Sequence, residues 1–165
     1  MKKYKVALFI GRFQPFHKGH LYSLEKCLEI AESVIVGVGS SQDSGTENNP
    51  WSYDVRKEML GSALQGLPVQ IVALPDLFDD TKWGQQILSL LKEKGFKTSE
   101  VVGVGNNDWT NRIFRAIGID VHETGLYKRD ELEGIKIRAL MKAGDTGWKV
   151  RVPKGVVECL EKYEK

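Results

Sequence analysis

Gly11-Arg12-Phe13-Gln14-Pro15-Phe16-His17-Lys18-Gly19-His20 gathers two of the chain's three histidines into one decapeptide. An apolar run, Val6 to Ile10, precedes it, and Leu21, Leu24, Leu28 and Ala31 follow at helical spacing. The decapeptide therefore occupies a strand-to-helix turn. In an open parallel sheet such a turn lies at the carboxyl edge, where ligands bind. His17 and His20 are spaced to face one side of the first helical turn. Gly11 permits a tight turn and close approach of a ligand to the backbone, and Pro15 stiffens that turn. The helix N-terminus offers unpaired N–H groups and a partial positive charge. Arg12 adds a fixed cation. This set suits binding and polarising phosphate oxygens, and it holds no serine, cysteine or carboxylate nucleophile.

Other chemistry fits less well. A zinc site of the His-Glu-x-x-His kind needs histidines four apart and a third ligand, so no metal ligation is assigned to His17 and His20. The turn lacks the Gly-x-Gly-x-x-Gly of a dinucleotide loop, and the chain lacks the Gly-x-x-x-x-Gly-Lys-Ser/Thr of a P-loop.

The elements that must position these groups alternate. Val6–Ile10, Ser33–Val38, Val69–Leu74, Val101–Val104 and Ile119–Val121 read as strands. Helical patterns run from Leu21 to Glu32, from the cap Ser52 to about Gln65, from Trp83 to Lys94, and from the Asn106–Thr110 turn to Ile117. Ile135–Lys142 and Val156–Tyr163 read as short C-terminal helices. The order predicts an α/β fold: a Rossmann-like open parallel five-stranded sheet with helices on both faces and a small C-terminal helical segment. Its post-strand loops, Gly11–Phe16, Gly39–Pro50, Pro75–Lys82 and Gly105–Trp109, should open on one edge.

The 165 residues suit a single domain spanning 1–165. The formal charge of +2 gives no basic patch of the kind a nucleic-acid binder shows. No apolar run approaches the roughly 20 residues of a membrane span, and the N-terminus enters a strand pattern with no signal-peptide layout. A cytoplasmic protein with Cys27 and Cys159 as free thiols is expected.

The decapeptide resembles the His-x-Gly-His signature of the nucleotidyltransferase superfamily, and in its longer form that of archaeal-type nicotinamide mononucleotide adenylyltransferases. Val38-Gly39-Ser40-Ser41-Gln42, Asn49-Pro50-Trp51, Trp83, Asn106-Asn107, Gly134-Ile135-Lys136-Ile137-Arg138 and Val152-Pro153-Lys154 extend the resemblance over nearly the whole chain. The resemblance implies attack of a mononucleotide phosphate on the α-phosphorus of ATP, with no covalent intermediate. It implies catalytic roles for His17, His20, Arg12 and Arg138, with Gly11 and Gly134 completing the ATP site. Trp83, Asp76, Asp80 and Asn107 become candidates for the acceptor, Trp83 by stacking on its base. Mg²⁺ would arrive with ATP. The superfamily often forms oligomers, although no unexplained apolar stripe marks an interface between copies of this chain.

Three positions depart from the family pattern. Where the family reads Ser-Gly-Thr before the late helix, this chain has Glu133-Gly134-Ile135, which removes two hydroxyls and sets a negative charge near the triphosphate. Glu47-Asn48-Asn49 replaces an arginine-bearing loop. Asp80 stands in for an asparagine, and an aspartate accepts but cannot donate. Other phosphate acceptors, a cytidylyl transfer, or a weakly catalytic nucleotide-binding module remain as alternatives.

Overall fold

The computed structural model describes residues 2–163. Strands β1 (Tyr4–Gly11), β2 (Ala31–Gly39), β3 (Val69–Leu74), β4 (Val101–Val104) and β5 (Asp120–His122) alternate with helices α1 (Lys18–Ile30), α2 (Tyr53–Ala63), α3 (Asp80–Glu93) and α4 (Asp108–Ala116). Two further helices follow, α5 (Gly134–Lys142) and α6 (Lys154–Glu161). The strands form one sheet in the order β3-β2-β1-β4-β5, and every pairing is parallel. This is the expected Rossmann-like arrangement.

Parallel strands need covering on both faces, and β1 shows how. Val6 and Leu8 point into a cluster with Trp83, Ile87 and Leu91 of α3 and Ile113 and Phe114 of α4. Ala7 and Phe9 point the other way, into a cluster with Leu24 and Cys27 of α1, Met59 and Leu60 of α2, Ile137 of α5 and Val156 and Leu160 of α6. The period of two along the strand thus assigns the two helical layers. Cys27 and Cys159 are buried free thiols. Among the described residues, no helix is long and apolar enough to cross a membrane.

Two helices begin three residues earlier than hydrophobic periodicity predicts, and capping is the reason. Helix α1 opens at Lys18, three residues before Leu21, because His17 supplies the N-cap. Helix α3 opens at Asp80 because Asp79 accepts from the Lys82 N–H at 2.9 Å. Asp80 therefore lies in the first helical turn and not in a loop. Ser52 caps α2 as predicted, accepting from the Val55 N–H at 3.3 Å. Two 3-10 turns, Thr98–Glu100 and Thr146–Val150, are too short to leave a periodic signature.

Candidate active site

The strand register brings the loops to one edge. Gly11 pairs with Val38, Gly39 with Leu74, and Phe9 with Val104. Between β1 and β4 the chain direction of the windings reverses, which opens a crevice beyond the strand ends. A cleft of about 760 Å³ lies there, and Arg12, His17, His20, Asn107, Gly134 and Arg138 all line it. Arg129, Glu133 and Ile135 complete that wall. Gly11, Trp83, Asp76 and Asp80 are not among the lining residues.

The two histidines are locked by the start of α1. His17 Nδ1 accepts from the Gly19 and His20 N–H groups at 3.1 and 3.3 Å, and His20 Nδ1 accepts from the His17 N–H at 3.1 Å. This is a capping box built from imidazoles in place of Ser and Glu. A ring that accepts at Nδ1 must carry its proton on Nε2. Both neutral rings are therefore fixed as Nε2–H donors. They stack at 3.7 Å, with His20 also stacked on Phe16 and edge-on to Phe13. Burial pulls His17 down to about 4, helped by the Arg129 cation and opposed by Glu133. Burial, with His17 alongside, holds His20 well below the usual histidine range. Both rings are uncharged at neutral pH.

The turn before them is strained, but not at the expected residue. Phe13 takes the left-handed conformation, φ 53°, and Gly11 ends β1 in its ladder. Glycine is needed at 11 for a different reason: a Cβ there would meet the Phe13 ring at 2.9 Å. Two guanidinium groups hold the turn's carbonyls. Arg56 donates to Arg12 O at 3.0 Å, and Arg138 donates to Gln14 O at 2.6 Å. The Gln14 amide pairs with the Trp51 backbone in both directions, at 3.0 and 3.1 Å. Gly134 admits this packing, since a Cβ there would lie 3.0 Å from Arg138 Nη1 and 3.2 Å from Gln14 O. Burial and the nearby Arg12 cation lower Arg138, partly offset by Glu47.

At the start of α5, Glu133 occupies the N-cap position without making a side-chain cap. Its carboxylate turns to Arg129 Nε at 3.4 Å and Lys136 Nζ at 3.5 Å. The negative charge of Glu133 is thus flanked by two cations. Ile135 is 61% exposed.

The four acceptor candidates separate. Asn107 lines the cleft while its Oδ1 caps α4 by accepting from the Thr110 N–H at 3.0 Å. Asp76 cross-links two loops, accepting from Ser40 Oγ at 2.8 Å and Gln42 Nε2 at 3.0 Å. Trp83 is only 5% exposed and packs between Trp109 and Phe114. Asp80 accepts from the Trp109 indole N–H at 2.9 Å. Trp109, at 39% exposure, is the outer member of this aromatic pair.

Comparison with known proteins places this architecture. The cytidylyltransferase-like family model matches residues 8–121, which takes in the histidine turn, β4 and α4. The chain belongs to the cytidylyltransferase-like family. Within that family it is 33% identical over 157 residues to a nicotinamide-nucleotide adenylyltransferase of Haloarcula marismortui, covering 94% of this chain and 80% of that one. It is 37% identical over 163 residues to a nicotinamide-nucleotide adenylyltransferase of Thermococcus sibiricus, covering 96% and 84%. A solved structure of a bifunctional NMN adenylyltransferase/ADP ribose pyrophosphatase from Francisella tularensis, complexed with AMP and a manganese ion, superposes with a TM-score of 0.81 at 26% identity. It covers 98% of this chain, and this chain spans half of that one.

Several positioning residues of this cytidylyltransferase-like domain escape sequence reasoning. Arg56 is fully buried and donates to five carbonyls, those of Arg12, Gly39, Ser40, Ser52 and Asp43. A faint signal exists: Arg56, Met59 and Leu60 share the spacing of a buried helix face. Gln14, Trp109 and Arg129 leave no such signal. Their roles depend on loops distant in sequence.

Proposed function

We propose that this chain transfers the adenylyl group of ATP to nicotinamide mononucleotide, giving NAD and pyrophosphate. The observation that carries the reading is the pair of neutral, Nε2–H-donating histidines beside Arg12 and Arg138, with no nucleophile among them. A mononucleotide phosphate is already anionic, so it needs no general base. Its oxygen forms a bond to the α-phosphorus. The bond from that phosphorus to the bridging oxygen breaks, and the electron pair leaves with pyrophosphate. What remains for the protein is alignment and stabilisation of charge on the phosphoryl oxygens.

Each residue follows from its placement. His17 and His20 donate from Nε2 to phosphate oxygens without reorganising, because the helix cap has already oriented them. Arg12 holds phosphate at the junction of the two substrates, and Arg138 keeps its remaining donors for the β- and γ-phosphates. Mg²⁺ neutralises triphosphate charge when bound. The ion would be carried by phosphates and water. For the acceptor, Asn107 lines the cleft, whereas Trp83, Asp76 and Asp80 lie outside its lining, with Trp83 and Asp80 against Trp109 and Asp76 on the Ser40–Gln42 loop. Stacking of the acceptor's base on Trp83 requires Trp109 to give way.

The test is direct. Purified protein is incubated with ATP, Mg²⁺ and nicotinamide mononucleotide, and NAD is quantified by chromatography. NAD should form, and His17→Ala and His20→Ala should each lower kcat by about 10²–10³, the usual effect of losing one donor to developing charge. Pyrophosphate release only with a different phosphate acceptor would overturn the assignment.

A further inference from the structure

The cleft contains one cation that neither the mononucleotide nor the histidines account for. Arg129 lines it between His17 and Glu133, on the segment that leads into α5. Its position is set from two directions. Glu133 holds the side chain through Nε at 3.4 Å. Lys136 Nζ donates to the Arg129 backbone carbonyl at 3.1 Å while also pairing with Glu133 at 3.5 Å. The guanidinium nitrogen paired with the carboxylate is Nε. Among the described residues no hydrogen bond engages either terminal nitrogen of Arg129. A guanidinium anchored by Nε with both terminal nitrogens open is a fork of the geometry that phosphate accepts in bidentate fashion. It shares the cleft wall with His17 and His20, where its charge adds to burial in lowering His17.

We propose that Arg129 is a further triphosphate-binding residue, held ready by Glu133 and Lys136. The inference rests on the adenylyl-transfer reading and adds to it. It also gives the unusual Glu133-Gly134-Ile135 sequence a physical role. Two hydroxyl donors are absent there, and Glu133 instead pairs with a charged donor four residues upstream. Charge-assisted bonds from Arg129 to the β- or γ-phosphate replace neutral ones, and they are roughly twice as strong individually. Glu133 is then a positioning residue, acting through Arg129, and its own negative charge is offset by Lys136.

The experiment is equilibrium titration of a non-hydrolysable ATP analogue with Mg²⁺, and of AMP, into the wild type, Arg129→Ala, Arg129→Lys and Glu133→Gln. The wild type should bind the analogue, and Arg129→Ala should weaken it at least tenfold while changing AMP affinity less than twofold. Arg129→Lys should recover only part of the loss, because a lysine cannot form the fork. Glu133→Gln should weaken the analogue by a smaller factor in an Arg129 background and have no effect in Arg129→Ala. The His17 ring resonance, followed by NMR, should titrate at higher pH in Arg129→Ala, which verifies proximity without relying on activity. Equal analogue binding by wild type and Arg129→Ala would overturn this inference alone. Failure of the wild type to bind the analogue would overturn the adenylyl-transfer reading as well.

Discussion

At the residue scale, His17 does two jobs with one ring. Its Nδ1 caps α1 while the ring lines the cleft with its proton on Nε2, so a second proton can enter only at Nδ1, where it displaces two backbone N–H bonds. Burial, helped by the Arg129 cation and opposed by Glu133, keeps His17 neutral in the folded chain down to about pH 4, whereas an unfolded histidine titrates near 6.5. Between those values the unfolded chain binds more protons, so stability rises with pH. Acidification from pH 7 should lower the urea midpoint progressively from about pH 6.5 down to 4, with His17 contributing on the order of 3 kcal/mol. His17→Gln should flatten that slope. An unchanged slope in the variant would show that the imidazole is not held neutral by the fold. Trp83 makes a second prediction. Because the indole is buried against Trp109 and Phe114, Trp83→Ala should cost about 3–5 kcal/mol in chemical denaturation. Trp83→Phe separates packing from stacking: it should preserve most stability while raising the acceptor KM. An unaltered KM would leave Trp83 a core residue only.

At the scale of elements, helix α2 is the staple of the site. Arg56 reaches from its buried face to the ends of β1 and β2 and ties the carbonyls of Arg12, Gly39 and Ser40 together. Burial lowers Arg56, Asp43 opposes that, and Arg12 adds to it. Its bonds run to carbonyl dipoles and to no carboxylate, so its cation still contributes positive potential beneath the histidine turn. Arg56→Met should remove those bonds and leave several carbonyls unsatisfied, at a cost on the order of 3 kcal/mol measured by urea denaturation. A loss below about 1 kcal/mol would mean that the loops hold their shape without it. Helix α5 makes the complementary contact, where Arg138 holds Gln14 O. The histidine turn is thereby gripped by guanidinium groups from two helices more than 40 and 120 residues downstream.

At the scale of the whole molecule, the cleft exists because β1 is central and its neighbours β2 and β4 lead their chains to opposite faces. Most cleft groups are contributed by three separated stretches: the turn after β1, the start of α4, and the segment entering α5. A ligand that touches all three ties the two ends of the fold together. Mg²⁺ with an ATP analogue at a hundred times its Kd should therefore stabilise the protein by about 2.7 kcal/mol, read as a concentration-dependent rise in Tm. A Tm that does not respond over that range would contradict binding to the native state.

The amino-acid sequence by itself determined the order of elements, the parallel sheet and the location of the histidine turn. These follow from local signals: the apolar run Val6–Ile10, the helical spacing of Leu21, Leu24 and Leu28, and the cap at Ser52. It also singled out Arg12, His17, His20, Gly134 and Arg138, which the fold brings to one cleft. What only the tertiary structure decided concerns contacts between distant segments. The imidazole capping box moved the start of α1, and Asp79 moved Asp80 into α3. Phe13 rather than Gly11 took the strained backbone, because the Phe13 ring needs the space above Gly11. The partners of Arg56, Arg129 and Trp109 lie across loops, and side-chain direction at such positions depends on where another part of the chain ends up. Local periodicity carries no record of that, whereas the strand and helix patterns that built the sheet are written residue by residue.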